Sequence, residues 1–330
     1  MKRILKVHET IGETRIGLFE AGRLVELHIA RDWEKGLPAN GDTFTGRVRY
    51  IDNSLGAAFI DLGRGPDGFL RFTTSPGAPK LVEGDALDAR VSRAAEQGKG
   101  PILTYAGPAT LDAPGPIEQR DLFARLQRRH PDAKTEEATL PKLTDIAVVE
   151  LAIPGGGTVA IEQTRALVAI DVDKGAQVSG IKTGSAAADL IAHQLRLRGL
   201  GGLICADFPN LRQPKKKQAL EKAIAVSFAD DPAKPKLAPL SRFGVLEMTR
   251  VRETRSLDQL LKETPDETAA LEAIEDLLAE ARAHPGAKLT LTVPDALRPH
   301  IDTHAPAITA RIGARLTVET GEVVHIEADR

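Results

Sequence analysis

A chain of 330 residues, 42% of them hydrophobic, can bury two or three cores, and its net charge of −2 gives no general hint of nucleic acid. No apolar run is long enough to cross a bilayer, and the early charges of Met1-Lys-Arg-Ile-Leu-Lys-Val-His8-Glu9 argue against a signal peptide, so the cytoplasm is expected and no membrane partner is. The single Cys205 excludes an intrachain disulfide and a cysteine-cluster zinc site, and its place in an apolar strand predicts a buried, inert thiol.

Residues 1–41 read as an N-terminal group of strands, Ile4 to Val7, Glu13 to Phe19 and Leu24 to Ile29, followed by a Gly-, Pro- and Asn-bearing connector. Residues 42–107 read as an all-β unit of five short strands with glycine-rich corners, the pattern of a small OB-type barrel. Such barrels bind single strands by stacking bases on exposed rings beside basic groups. Phe59 and Phe69 are the candidate rings, and Lys99 in Gly98-Lys-Gly100 is the candidate phosphate partner. The alternative is that both rings belong to the barrel core.

Residues 108–150 carry Ala113-Pro-Gly-Pro116, a charged helix from Glu118 to Arg129 and His130-Pro131, and read as a linker with one helix. Residues 151–256 read as an α/β domain. Pro154-Gly-Gly-Gly157 lacks the Lys-Ser/Thr ending of a phosphate loop and opens a strand, so it is a turn. Two apolar runs then end on carboxylates, Leu167-Val-Ala-Ile-Asp171 and Leu203-Ile-Cys-Ala-Asp207, with a helix between them for which Ser185 is a candidate N-cap. A helix from Lys216 to Phe228 and a last strand from Gly244 to Arg250 complete the domain. Residues 257–330 read as a small α+β unit: an acidic helix over 266–284, strands at 289–293, 316–319 and 323–327, and a helix over 306–313.

The spacing of Asp171 and Asp207 suits one crossover between parallel strands, which would bring both carboxylates to the sheet edge where open α/β sheets place ligands. Two carboxylates there would repel each other unless a cation sat between them. Mg²⁺ binds in this way, with one or two carboxylates plus substrate phosphate. A Mg²⁺-dependent phosphodiester site is one reading; aspartates that merely cap the following loops are the other. Residues 193–255 carry 13 basic and 6 acidic side chains, whereas residues 256–330 carry 7 and 14. A basic surround suits a polyanionic substrate. Lys215, Lys216 and Lys217 are its densest part, unless they simply form a solvated helix face. The acidic segment suggests packing or self-association.

Several stretches resemble the ribonuclease E/G family of cytoplasmic bacterial endoribonucleases. They are Glu13-Thr-Arg-Ile-Gly-Leu, Ser54-Leu-Gly-Ala-Ala-Phe-Ile-Asp-Leu-Gly63, Glu162-Gln-Thr-Arg-Ala-Leu, His193-Gln-Leu-Arg-Leu-Arg-Gly-Leu-Gly-Gly-Leu and Ser241-Arg-Phe-Gly-Val-Leu-Glu-Met. The resemblance is good over 1–105 and 150–255 and loose over the last 75 residues. It implies an α/β plus all-β chain: an OB-fold RNA-binding domain inserted near an N-terminal RNase H-like element, followed by a DNase I-like catalytic domain. By this resemblance the Mg²⁺ aspartates fall on Asp171 and Asp207, and the RNA-contacting rings and lysine fall on Phe59, Phe69 and Lys99. The reaction implied is hydrolysis of single-stranded RNA that leaves a 5′-phosphate.

There are departures from the family pattern. The asparagine two residues after the first aspartate is Asp173 here, a further metal-ligand candidate or an added repulsion. An Asn-x-Glu is replaced by Gly184-Ser-Ala186, the 5′-end sensor segment has no counterpart in 108–150, and no Cys-Pro-x-Cys follows Arg250. Any homo-oligomer would form without a zinc link, and an RNA-binding protein with a weak or inactive nuclease domain is the competing expectation.

Overall fold

A computed structural model describes residues 2–75, 77–95, 98–175, 180–209, 213–252 and 254–329. The chain divides into two compact units, one of residues 1–32, 132–252 and 256–330, the other of 33–131 and 253–255. It opens with the antiparallel meander β1 (Arg3–Thr10), β2 (Glu13–Glu20) and β3 (Arg23–Arg31).

The second unit is built on β4 (Thr43–Asp52), β5 (Ala57–Asp61), β6 (Gly68–Arg71), β7 (Ala86–Arg93) and β8 (Ile102–Pro108). Neighbours run β5-β6-β8-β7-β4, and a further pairing of β5 with β4 closes the ring into a five-stranded barrel. Only β6 and β8 are parallel. This is the OB-like order, and alternation broken by bulges in β4, β7 and β8 fills its interior. Phe44, Val48, Ile60, Leu70, Leu87 and Leu103 point inward and are at most 2% exposed.

The segment expected as a linker is more than a linker. β9 (Gly115–Glu118) adds to the outside of β4, and α1 (Leu122–Arg129) is capped by Asp121, whose Oδ1 accepts from Ala124 N at 2.7 Å. β10 (Lys134–Glu137) joins β1 in parallel, and α2 (Leu143–Ile146) buries Leu143 and Ile146. The helix α1 is the expected charged helix, shortened at its start. The strands β9 and β10 have no apolar alternation of their own; pairing with a partner strand forms them, so their sequence is silent.

A six-stranded sheet follows, in the order β11 (Glu150–Ala152), β12 (Thr158–Gln163), β13 (Val168–Asp173), β14 (Gly202–Asp207), β16 (Val245–Arg250) and β15 (Lys236–Leu237). β13 and β14 are parallel neighbours joined through α3 (Gly180–Leu197), the expected crossover. α3 begins before Ser185, which therefore lies inside the helix and is not its cap. α4 (Pro214–Ser227) starts with proline in its first turn, where the missing N–H has no helical partner to lose.

One face of the sheet, through Ile161, Ile170, Ile204 and Met248, packs against Ile191 and Leu195 of α3 and Leu220 and Ile224 of α4. Ile191 and Leu195 are fully buried, and cutting either to alanine would cost about 2–5 kcal/mol. Helix α3 meets α4 at Gly184, where an added Cβ would lie 2.8 Å from Leu220 Cδ1. Cys205 sits on the other face and is half-buried, not enclosed, because alternation along β14 turns it away from the helices.

The chain ends with α5 (Leu257–Glu263), α6 (Pro265–Ala283), β17 (Lys288–Val293), α7 (Arg298–Ile312), β18 (Leu316–Thr320) and β19 (His325–Asp329). Pro306, expected to open a helix, lies inside α7, which starts at Arg298 with Pro299 in its first turn. Leu271, Ile274 and Leu277 of α6 pack on Leu289 and Leu291 of β17 and on Ile301 and Ile308 of α7. Among the described residues no helix is long and apolar enough to cross a membrane.

Candidate functional site

The two aspartates meet. Asp171 near the end of β13 is the register partner of Asp207 at the end of β14, so their Cα atoms lie about one strand spacing apart, ~4.8 Å. Their neighbours Ile170, Val172, Ala206 and Phe208 are buried under the helices, so alternation turns both carboxylates to the opposite, open face. Both are exposed, and among the described residues neither takes part in a hydrogen bond or ion pair.

Asp173 shares that face, two residues further along β13, but its Oδ1 accepts from Gly175 N at 3.0 Å and belongs to the loop that leaves the strand. The glycine turn presses on the same strand end: a Cβ at Gly157 would lie 2.2 Å from Asp173 O, and Gly157 has φ +97°. The described residues hold no cluster of three or more His, Cys, Asp or Glu arranged for a metal. The three aspartates are therefore not gathered as one set, and a divalent cation bound here would have the pair Asp171 and Asp207 as its protein donors. Two free, adjacent carboxylates fit Mg²⁺, which takes one or two and fills its remaining positions with water and substrate oxygens.

Lys215, Lys216 and Lys217 occupy the first turn of α4. Lys215 and Lys216 are exposed, whereas Lys217 is half-buried and donates from Nζ to Ser241 O at 3.3 Å. Positive side chains at the positive end of a helix bring no local stabilisation. The turn that receives Lys217 also reaches the aspartate edge, since Phe208 N donates to Gly244 O at 3.2 Å and Asp207 pairs with Val245.

In the barrel, Phe59 of β5 and Phe69 of β6 are direct cross-strand partners, with ring centroids 5.6 Å apart at 68°. Neither belongs to the core cluster; both are half-buried, on the outward face of strands whose inward residues Ala58, Ile60 and Leu70 are fully buried. Tyr50, register partner of Phe59, extends the cluster with its ring 6.1 Å from Phe59 and 53% exposed. The Arg71 guanidinium lies 5.9 Å from the Phe69 ring. Sequence reasoning missed Tyr50 and Arg71. Alternation marks Arg71, two residues after Phe69 on the same outward face, whereas Tyr50 is turned outward by a bulge between Val48 and Tyr50 that simple alternation does not show.

Lys99 is exposed in the β7–β8 connection. That connection lies against the start of β6: a Cβ at Gly100 would be 1.8 Å from Asp67 O, and Phe69 N donates to Pro101 O at 2.7 Å. Rings on the second and third strands and a lysine in the loop between the fourth and fifth occupy the surface with which OB barrels hold oligonucleotides.

Residues 133–253 match the Ribonuclease E/G family. The chain is 38% identical over 117 residues to Ribonuclease E of Escherichia coli (strain K12), covering 33% of this chain and 11% of that protein. It is 30% identical over 168 residues to Ribonuclease E of Synechocystis sp. (strain ATCC 27184 / PCC 6803 / Kazusa), 49% of this chain and 24% of the other. It is 33% identical over 120 residues to the chloroplastic Ribonuclease E/G-like protein of Arabidopsis thaliana, 34% and 12%. The matched stretches thus span between a tenth and a quarter of these curated relatives. The similarity to the ribonuclease E/G family thus falls on the stretch that builds the six-stranded sheet and carries both aspartates.

Proposed function

We propose that this protein is a Mg²⁺-dependent endoribonuclease that hydrolyses single-stranded RNA in RNA processing or decay. The observation that carries the reading is the register pairing of Asp171 with Asp207, both exposed and both without a protein partner among the described residues. A cation held there would supply what phosphodiester hydrolysis needs, polarisation of the phosphate and a more acidic water. Asp171 and Asp207 would hold it, and their lack of other bonds leaves them free to do so. Lys215 and Lys216 offer charge to the RNA backbone, while Phe59 and Phe69, with Lys99, grip bases and a phosphate on the barrel. In this reading the N-terminal strands are an RNase H-like element, residues 42–107 the RNA-binding OB domain, and residues 151–256 the DNase I-like catalytic domain.

The test is cleavage of labelled single-stranded RNA with and without Mg²⁺. Asp171→Asn and Asp207→Asn should each lower the rate by more than about 100-fold, because several kcal/mol of transition-state stabilisation is lost, without lowering Tm. Asp173→Asn should have a far smaller effect, because that carboxylate is engaged by Gly175. Cleavage that survives both single changes would end the assignment.

One observation favours the competing reading, an RNA-binding protein with a weak or inactive nuclease domain. No third acidic ligand completes the pair among the described residues, and α3 presents Gly184, Ser185 and Ala186 with Ala186 packed on the core. RNA binding with no Mg²⁺-dependent product at high protein concentration would select it.

A further inference from the structure

We propose that Arg242 and Phe243 form a base-stacking platform beside the carboxylate pair, which holds one nucleobase of single-stranded RNA next to the phosphate to be cleaved. The proposal rests on the nuclease reading above and assigns the six-stranded domain its own contact with a base, separate from the barrel rings. Phe243 is 65% exposed, so its ring is accessible to a ligand. The Arg242 guanidinium lies over its ring, 4.6 Å from the centroid, which covers one face and leaves the other open. A nucleobase stacked on the open face would complete a cation–ring–base sandwich.

The platform is held rigidly. Ser241 Oγ accepts from Phe243 N at 3.2 Å and from Val245 N at 3.1 Å, and Gly244 N donates to Ser241 O at 3.1 Å. Gly244 has φ +97°, which closes the turn into β16. It is also positioned at the site: Val245 pairs with Asp207, Phe208 N donates to Gly244 O, and Lys217 Nζ donates to Ser241 O. One four-residue turn thus touches the aspartate strand and the lysine-bearing helix. An aromatic face next to carboxylates and lysines suits a chain of bases and phosphates better than an apolar protein partner, whose docking would bury unpaired charges.

The test uses the full chain and a single-stranded RNA with one cleavage site. Phe243→Ala should lower kcat/KM by about 5- to 150-fold, the usual worth of one base–aromatic stack, and Phe243→Trp should restore it. A series of the same RNA with one abasic nucleotide at successive positions should show an equal loss at one position near the cleaved bond, and at that position Phe243→Ala should cost nothing more. A second readout needs no cleavage: in EDTA, 2-aminopurine moved through successive positions of the RNA should be quenched at one position by the wild-type protein and not by Phe243→Ala, while labels at nucleotides held by the barrel respond equally to both. Equal cleavage by Phe243→Ala, or an unchanged loss on the abasic substrate, overturns the proposal. If the wild-type protein yields no product, the nuclease reading fails, and the fluorescence result alone decides the platform: quenching lost in Phe243→Ala supports it, and quenching unchanged overturns it.

Discussion

Whether a ring on a strand joins the core depends on which way alternation turns it, and the barrel leaves Phe59 and Phe69 outside its core cluster. With Ala58, Ile60 and Leu70 filling the interior, the two rings lie on the other side of the same strands. Phe59→Ala and Phe69→Ala should therefore each weaken single-stranded RNA binding by about 1–3 kcal/mol. The melting temperature should change little, and unfolding of either variant would return the ring to the core. Lys99→Ala should lower the slope of log K against log salt by about 0.7, one phosphate contact on a single strand. The aspartate pair was legible in the sequence because each residue ends a short β-branched run, and the helix between them fixes parallel order. Asp173 was ambiguous because only the structure gives its carboxylate to Gly175 N. Phe243 was unreadable as a contact: nothing in Ser241-Arg-Phe-Gly244 says that the ring stays outside.

Among the elements, those with a periodic apolar face were legible and those formed by a neighbour were not. The strands β13 and β14 and the helices α3, α4 and α6 carry their own stripes, whereas β9, β10, β11 and the two-residue β15 take shape only as additions to an existing edge. Helix α3 also shows what a stripe conceals. Its half-buried His193 donates from Nε2 to Leu24 O at 2.7 Å, and Arg196 reaches Glu20 and Glu26 at 2.8–3.1 Å, so the polar side of the helix joins it to β2 and β3. Burial pushes the His193 imidazole below its ordinary 6.5, and Arg23 and Arg196 push the same way against the hydrogen bond to Leu24. The folded protein thus prefers the neutral ring. The associated stability is complete above pH 6.5 and is lost as pH falls through the lowered folded value. His193→Gln keeps a donor for Leu24 O but cannot titrate. Its melting temperature should fall less than the wild type's between pH 7.5 and 5.5; parallel curves would show that His193 stays neutral in neither state's favour. Burial lowers His8 as well, so part of the acid sensitivity should remain.

At the scale of the whole chain, the opposed charges of its C-terminal third find partners within the first unit. Asp276 of α6 pairs with Lys142 at 2.7 Å, Glu275 with Arg15 at 3.1 Å, and Asp258 of α5 accepts from Arg198 Nε at 2.8 Å. Behind them lies a buried ionic cluster in the N-terminal sheet. Glu13 is paired with Arg15 and, at 2.8 Å, with Arg31, and Arg31 donates to Thr268 Oγ1 of α6 at 2.9 Å. The side chains of Glu13, Arg15 and Arg31 are at most 1% exposed, so neither guanidinium has water to replace the carboxylate. Glu13→Gln keeps the shape but supplies one neutral oxygen for two cations and turns an amide nitrogen toward one of them. Removing one partner of a buried pair costs about 3–5 kcal/mol, because it leaves the other charge uncompensated. The exposed pair Arg3–Asp132, 3.6 Å apart, is the control, and Asp132→Asn should cost no more than about 1 kcal/mol. The two units have separate hydrophobic clusters, so denaturant curves followed by probes placed in each should respond separately. Glu13→Gln should shift the midpoint reported from the six-stranded sheet and leave the barrel's in place, whereas Ile60→Ala should do the reverse at a cost of about 2–5 kcal/mol. A Glu13→Gln chain as stable as wild type would mean that other carboxylates compensate the arginines once Glu13 is gone, Glu275 at 3.1 Å for Arg15 and Glu267 at 3.9 Å for Arg31.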